Sequence, residues 1–525
     1  MRACLVFACL LAACAEGAPP PPDKARTALP SIEDGVFARA EGGAFHLGDR
    51  PARFVGVNAS LIHGGQTRED APRLIEAMAD DGVRLARVWA LGTSQGEEAW
   101  RRSVAFRLGP DDWVEESFVH LDRVLAEARR HDVRVILVLA NRWADRGGLP
   151  QLARWAGITP RRRHLLPAEL AATLESEAAR ALYVAHLERL VGRVSSVTGV
   201  AYRDDPTIFA WELINELSAP TCEAGDAQVA WVREMSARVR TLDPNHLIAA
   251  GHIGYNSELS LRYWRQVHAL PEIGYADTHG YPQNLVDADT PAALGDWLDH
   301  RAAEARALGL PLMVGEVGVP RGDGPFAPRE RWLEAFFGRA AEGGTDGVLV
   351  WMYRPWQEHE DPHGIWPWGP RAEETAPVRR LLREASKRWD RVEPDEPGAR
   401  GWPLGIERVV PWVEGEWEDG ALEIDPWALA EGCADTGLTY ALPWRTDVGA
   451  IDFDVRGATE GALRVRLDGV DVGTWRGGEF TPAADAPRQT MVWMRLEPED
   501  EAGRALLRRF TAELPGDARL VFTAP

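Results

Sequence analysis

Two glutamates stand out by where the chain puts them. Glu216 closes the apolar run TIFAWELINE directly after Asn215, and Glu316 closes the run PLMVGE. A carboxylate among Leu and Val loses solvation, which costs free energy unless it has a partner or a task. Two of them facing one cleft have the chemistry to break a glycosidic bond, one as proton donor to the leaving oxygen and one as nucleophile. Aromatic faces fit the same chemistry, because the axial C–H groups of a pyranose lie well against indole. Tryptophan is unusually abundant, with 22 Trp against 14 Phe and 8 Tyr. Trp351 falls at the end of one apolar run, and Trp89, Trp143 and Asn141 fall at the ends of others. A second pattern is set aside. His359-Glu-Asp-Pro-His363 spells a zinc motif that works only with both His one helical turn apart. Pro362 removes a helical hydrogen bond and clashes with the preceding turn. No metal and no cofactor are expected.

The elements that must position these groups alternate regularly. Short apolar runs end at Asn58, Trp89, Asn141, Glu216, His252, Tyr281, Glu316 and Tyr353, and their near-continuous hydrophobicity fits strands covered on both faces. Helical patterns lie between them, such as Glu69 to Asp81, Phe118 to Arg130, Glu169 to Val194, Gln228 to Leu242, Pro291 to Leu308, Arg329 to Ala341 and Val378 to Trp389. Eight βα units describe a (β/α)8 TIM barrel, whose active site is built at the C-terminal ends of the strands. A doubly wound open sheet is the rival, but no glycine-rich dinucleotide loop follows the first strand. On the opposite alternation from Asn215, Glu212 reads as structural, and so does His252.

The barrel domain is expected over residues 31–391, followed by a Pro- and Gly-rich linker over 392–404. Residues 405–525 then show alternating runs that predict a β-sandwich-like accessory domain with a hairpin turn at Asp468 and Gly469. That domain carries Trp402, Trp412, Trp417, Trp427, Trp444, Trp475 and Trp493, readable as a polysaccharide-gripping strip or as sandwich core.

The first residues, MRACLVFACLLAAC, have the layout of a signal peptide and are too short to span a bilayer. Leu11 to Cys14 resemble a bacterial lipobox with Cys14 as the lipidated residue, and residues 15–30 read as a tether. An exported envelope lipoprotein or secreted protein is expected, anchored to membrane through Cys14 alone. With Cys4 and Cys9 in the leader, Cys222 and Cys433 remain, fall in different predicted domains, and are read as two unpaired thiols. The chain has 525 residues and a formal charge of −21, which repels phosphate backbones and makes nucleic acid an improbable partner. A monomer acting on a polysaccharide is expected.

The stretch YVAHLERLVGRVSSVTGVAYRDDPTIFAWELINEL, residues 183–217, resembles the corresponding segment of plant and fungal endo-β-1,4-mannanases of glycoside hydrolase family five. The resemblance continues in LDRVLAEARRHDVRVILVLANRWADRGGLPQLARWAG, in RVWALG and in LDPNHLIAAG, and covers residues 36–390. It implies Glu216 as acid/base and Glu316 as nucleophile, with Asn215 on the sugar 2-hydroxyl. Arg87 would orient Glu316 and hold it ionised, Tyr281 would bond it, His279 would tune Glu216, and Trp351 would be the platform under the sugar. The implied retaining mechanism asks for carboxyl groups about 5 to 5.5 Å apart and a raised pKa on Glu216. Leu217 stands where the family has Pro, and Asn284 lies nearest the place of a family Trp. Those departures leave β-glucan, or exo action on a mannoside at the chain end, as alternatives to mannan. A non-catalytic glycan-binding lipoprotein is a third reading.

Overall fold

The structure is a computed structural model that describes residues 31–64, 68–93, 102–284, 290–355, 361–389, 421–424, 431–443, 452–456, 460–467, 470–477, 491–511 and 519–523. Three short antiparallel strands come first: β1 (Ala38–Glu41), β2 (Ala44–Leu47) and β3 (Arg50–Ala52). The parallel sheet follows as β4 (Phe54–Asn58), β5 (Leu85–Trp89), β6 (Arg134–Val138), β7 (Ile208–Glu212), β8 (Leu247–Ala249), β9 (Ala276–Gly280), β10 (Leu312–Val317) and β11 (Gly347–Val350). Their order is β8-β7-β6-β5-β4-β11-β10-β9. The open edges meet, because the Gly274 N–H donates to Ile248 O and the His279 N–H to Ile253 O, both at 2.8 Å. The result is the (β/α)8 barrel that the alternation predicts. Every residue of these eight strands is buried, which is why they read as continuous apolar runs.

Inside the barrel the side chains form layers. Phe54, Leu85, Ile136, Ala210, Met313 and Leu349 point into the lower interior, and Phe45 and Leu47 of β2 plug it from below. Ala86, Val88, Val314 and Val348 point outward and pack with the surrounding helices. Those helices include Ala71–Asp80, Glu115–Arg130, Cys222–Leu242, Pro291–Ala307, Arg329–Glu342 and Ala372–Trp389. The stretch predicted as one helix from Glu169 to Val194 is two, Pro167–Glu175 and Glu177–Val191. Ser176 breaks it with an extended backbone and caps the second helix by accepting the Ala179 N–H. Two more helices, Gly148–Trp155 and Glu258–His268, lie in connections. Four strands also stop three or four residues short of the ends of their apolar runs, at Val138, Glu212, Ala249 and Val350. The chain leaves the ladder there to turn its polar ends over the barrel mouth, keeping only single bridges such as Asn141 with Asn215 and Leu217 with His252.

The C-terminal region holds two antiparallel sheets among the described residues. One comprises β12 (Ala421–Ile424), β19 (Arg519–Thr523) and β15 (Asp452–Arg456); the other, in sheet order, β13 (Glu431–Cys433), β14 (Gly437–Pro443), β18 (Met491–Pro498), β16 (Leu463–Leu467) and β17 (Val470–Trp475). A helix, Glu501–Thr511, was not predicted and packs against the barrel helices Pro167–Glu175 and Cys222–Leu242. Leu467 pairs with Val470 across the predicted hairpin, while Asp468 and Gly469 lie outside the described residues. So do the leader with Cys14, the linker, Trp402, Trp412, Trp417, Trp427, Trp444 and the side chain of Trp493. Trp475 is fully buried, a core residue.

The cysteines correct the sequence reading. Cys222 and Cys433 form a disulfide, with Cα atoms 5.1 Å apart across 211 residues. The expectation of free thiols rested on their lying in different domains, but the two domains touch at this point. The Gly432 N–H donates to Pro220 O at 3.0 Å, which brings β13 alongside the start of the helix Cys222–Leu242.

Candidate active site

A web of buried polar groups crosses the upper mouth of the barrel. Arg87, pointing inward from β5 and fully buried, is its hub. Its Nε and Nη2 donate to both oxygens of Glu212 at 2.8 and 2.5 Å, a fork-on-fork geometry. Its Nη1 reaches Glu316 at 2.6 Å and Asn58 at 3.0 Å, and Nη2 also reaches Asn215 at 2.6 Å. Glu212 is therefore more than a strand residue, because it anchors the guanidinium that touches Glu316. The sequence reading also passed over Asn58, although its polar end on the first apolar run was a signal of the same kind as Asn215. Asn58 in turn donates to Gly315 O at 2.9 Å, tying β4 to the strand that carries Glu316.

Each glutamate reaches the mouth by a local irregularity. On β10 the register shifts between Val314 and Glu316, so one extra residue, Gly315, turns Glu316 inward where strict alternation would turn it out. Glu216 lies four residues past the end of β7 with φ of +56°, an uncommon left-handed setting for a residue with a side chain. That turn aims its carboxyl across the mouth at His279 and Trp143.

The two carboxyls meet different donors. His279 Nδ1 lies 2.9 Å from Glu216 Oε1, and the Trp143 indole N–H donates to Glu216 Oε2 at 2.5 Å. Glu316 accepts from Arg87 and, through its other oxygen, from the Tyr281 hydroxyl. Burial alone pushes Glu216 up, but the His279 hydrogen bond and charge, with Trp143, outweigh it and hold the carboxyl below the usual range. Burial pushes Glu316 up, and His279 and Arg87 only partly oppose it. Burial pulls His279 down, yet the charges of Glu316 and Glu216 carry it above the ordinary histidine value. This reverses the expectation of a raised Glu216 beside a nucleophile held down by Arg87. The reason is geometric, since His279 stands nearer Glu216 than Glu316, at 2.9 against 3.7 Å.

One oxygen from each carboxyl and a ring nitrogen of His279 all lie within 4.8 Å of one another. Such a trio could offer three ligand atoms to a cation. The same carboxylates, however, already accept from the Arg87 guanidinium, the Trp143 N–H and the Tyr281 O–H, donors that a metal would have to displace.

Above the trio lies a cleft of 1210 Å³ lined by Trp89, Asn141, Trp143, Asn215, Glu216, Tyr281, Glu316 and Trp351 among others. Its size exceeds the range of about 300 to 1,000 Å³ typical of small-molecule pockets. Trp89 and Trp351 have ring centroids 5.9 Å apart and form one aromatic surface. Asn141 accepts from Asn215 Nδ2 at 3.0 Å and so holds it facing the cleft. Arg87 and His279 lie beneath, out of the lining. Of the residues assigned catalytic, sugar-binding or lipidation roles in sequence, Cys14 alone falls outside the described residues. From the loop after β11, Arg354, Pro355, Asp361 and His363 line the cleft, whereas Trp366 is buried under Arg321 and Trp368 lies beneath Arg73. His363 sits in a turn and not in a helix, and His359 lies outside the described residues.

A family model described as GH family 5 beta-mannosidase-like matches residues 37–340, the span that carries Arg87, Glu216, His279, Tyr281 and Glu316. The chain belongs to that family. A putative mannan endo-1,4-beta-mannosidase 5 of Oryza sativa subsp. japonica is 30% identical over 356 residues, covering 61% of this chain and 70% of the relative. Mannan endo-1,4-beta-mannosidase 7 of Arabidopsis thaliana is 30% identical over 353 residues, covering 62% and 79%. Among solved structures, the endo-1,4-beta-D-mannanase of Thermotoga petrophila RKU-1 superposes with a TM-score of 0.56 at 26% identity, over 64% of this chain and 99% of its own. A second endo-beta-1,4-mannanase structure from Thermotoga petrophila shares the fold at 22% identity and a TM-score of 0.57, over 86% of this chain and 92% of its own.

Proposed function

We propose that this glycosidase is a retaining endo-β-1,4-mannanase acting on mannan and glucomannan, with Glu216 as acid/base and Glu316 as nucleophile. The observation that carries the mechanism is the spacing of the two carboxyls. With one oxygen of each carboxyl inside 4.8 Å of the other, the pair matches the separation of about 5 to 5.5 Å in retaining enzymes better than the roughly 6.5 to 9.5 Å of inverting ones. The relatives' names support the polymer, and a cleft larger than one sugar supports internal cleavage.

Glu316 attacks the anomeric carbon as Glu216 protonates the departing oxygen, giving a glycosyl ester on Glu316. Water, deprotonated by Glu216, then releases the sugar with its anomeric configuration retained. The carboxylates on either side of His279 favour its protonated form, which places a proton donor beside Glu216. Transfer of that proton across the 2.9 Å hydrogen bond from His279 Nδ1 to Glu216 Oε1 gives the acid form without changing the total proton count. Substrate that displaces water from Glu216 favours that transfer, because burial disfavours the charged carboxylate. Trp351 and Trp89 carry the sugar face, and Asn215, fixed by Arg87 and Asn141, bonds the 2-hydroxyl.

Reducing-sugar release and viscosity on mannan, glucomannan, galactomannan and β-glucan, run beside Glu316→Ala, test this reading. Fast viscosity loss on mannans that Glu316→Ala abolishes is the expected result. Activity confined to β-glucan or to short mannosides would overturn the substrate. We also infer that the protein is exported and lipidated at Cys14. Leu11 to Cys14 and a disulfide suited to an oxidising compartment support this. Absence of label on Cys14 after growth with radiolabelled palmitate would contradict it.

A further inference from the structure

The second histidine of the discarded zinc motif has surroundings that the chemistry above does not use. The turn that carries His363 is pinned on three sides. Its own N–H donates to Asp361 Oδ1 at 2.8 Å. The Arg321 N–H donates to Pro362 O at 2.7 Å, and Arg329 Nη1 donates to His363 O at 3.2 Å. The imidazole makes a T-shaped contact with the Tyr281 ring, with centroids 5.7 Å apart and planes at 83°. Its Nε2 is 3.1 Å from the side-chain amide of Gln283, so the loop after β11 and the loop after β9 are joined over the end of β10. Beneath both rings is Gly318, two residues past Glu316. A Cβ there would lie 2.3 Å from Tyr281 Cε1 and 3.1 Å from His363 Cδ2. Tyr281 is therefore held between a surface that tolerates no side chain and a fixed imidazole.

The phenol held in this way is the one that donates to Glu316 Oε2. We propose that His363 is a positioning residue for the nucleophile: by fixing the Tyr281 ring, it keeps the phenolic hydroxyl on Glu316 while the other carboxylate oxygen bonds to sugar and is released. This rests on the reading of Glu316 as nucleophile. The imidazole is faced by Asp361, Arg329 and Arg321, and burial pulls its pKa below the ordinary histidine value. Glu316 itself is faced by Arg87 from β5, Tyr281 and His279 from β9 and its end, and Glu216 from beyond β7.

The test is the pH dependence of kcat/KM for His363→Ala, Tyr281→Phe and the double variant. A hydroxyl that donates to a carboxylate favours its ionised form, so losing it raises the pKa of Glu316 and moves the acid limb to higher pH. His363→Ala is expected to lower kcat/KM about tenfold, within the range for small displacements of reacting groups. It should shift the acid limb in the same direction as Tyr281→Phe and add little to it in the double variant. His363→Phe, which keeps a ring against Tyr281, should restore the wild-type limb. If His363→Ala does not fold, His363→Leu carries the same comparison. A lowered melting temperature with an unmoved pH profile, or effects that multiply in the double variant, would overturn the proposal. Glu316→Ala separates the two levels: if that variant keeps its activity, the reading of Glu316 fails, and if it is dead while His363→Ala matches wild type, only this inference fails.

Discussion

The two ends of the barrel are built by the same strands with opposite contents. Along β5, Leu85 belongs to the lower layer and Arg87, two residues on, to the polar web; along β7 the pair is Ala210 and Glu212. Below, Phe45, Phe54, Phe209 and Tyr275 meet edge to face, with Phe209 5.0 Å from Phe54 and 5.3 Å from Phe45. Above, a guanidinium, three glutamates and a histidine sit at the floor of the cleft, all buried but Glu216, which is partly exposed. The lower end gains free energy by burying apolar area. The upper end spends some of that gain on desolvated charge, which it can hold only because each charged group has a geometrically fitted partner. Stability and chemistry are thus separated along the barrel axis by one or two residues per strand.

Substitutions at each end should separate in the same way. Arg87→Ala leaves Glu212 and Glu316 buried without their cation. It should cost about 3 to 5 kcal/mol in stability and bring activity to background, measured by denaturant unfolding and mannan hydrolysis. Phe209→Ala should cost a similar 3 to 5 kcal/mol, roughly the range for emptying a buried aromatic site. Its kcat should stay within about a factor of two of wild type, since no site group moves. A large loss of kcat would mean the two layers are coupled. Reducing the Cys222–Cys433 bridge should remove about 2 to 4 kcal/mol and likewise spare the site chemistry.

The smallest effect concerns pH, and here two sets of buried groups pull in opposite directions. Near the strands' C-terminal ends, burial lowers His63 and His186 to about 4 and His252 to about 3. The unfolded chain binds protons at these rings between about pH 6.5 and 4 while the folded one does not, so acidification destabilises the fold. At the lower end, burial raises Asp346 to about 7. The folded state holds that proton where the unfolded state has lost it, so this contribution is present in acid and is lost as pH rises through about 7. Melting temperature should fall from pH 6.5 towards 4, at about 1.4 kcal/mol per pH unit at most for each ring. Asp346→Asn removes the opposing contribution and should make that fall steeper. An unchanged slope would contradict the assignment of Asp346.

Much of this was legible in the sequence because burial on both faces writes each strand as an apolar run, and a polar residue at its end is then conspicuous. Asn215, Glu216, Tyr281 and Glu316 were found that way. Period-two reasoning could not foresee the extra residue at Gly315 that turns Glu316 inward, or the left-handed backbone of Glu216, because both are decisions of the folded chain about where to leave the ladder. The expected rise of the Glu216 pKa failed for a related reason. It came from what a retaining mechanism asks of its acid, whereas in the folded chain the hydrogen bonds of His279 and Trp143 favour the ionised carboxyl. The disulfide was illegible because nothing in the spacing of Cys222 and Cys433 tells that the C-terminal sheets dock beside the helix after β7. Gln283 and His363 gave no signal beyond a motif of another meaning, since their loops meet only over a finished barrel.

The central claim is that two carboxyls this close act by double displacement. Proton NMR of a mannooligosaccharide digest, recorded before mutarotation equilibrates the product, reads the first-formed anomer. Retained β-anomer is the result this account predicts, whereas initial accumulation of the α-anomer would contradict it.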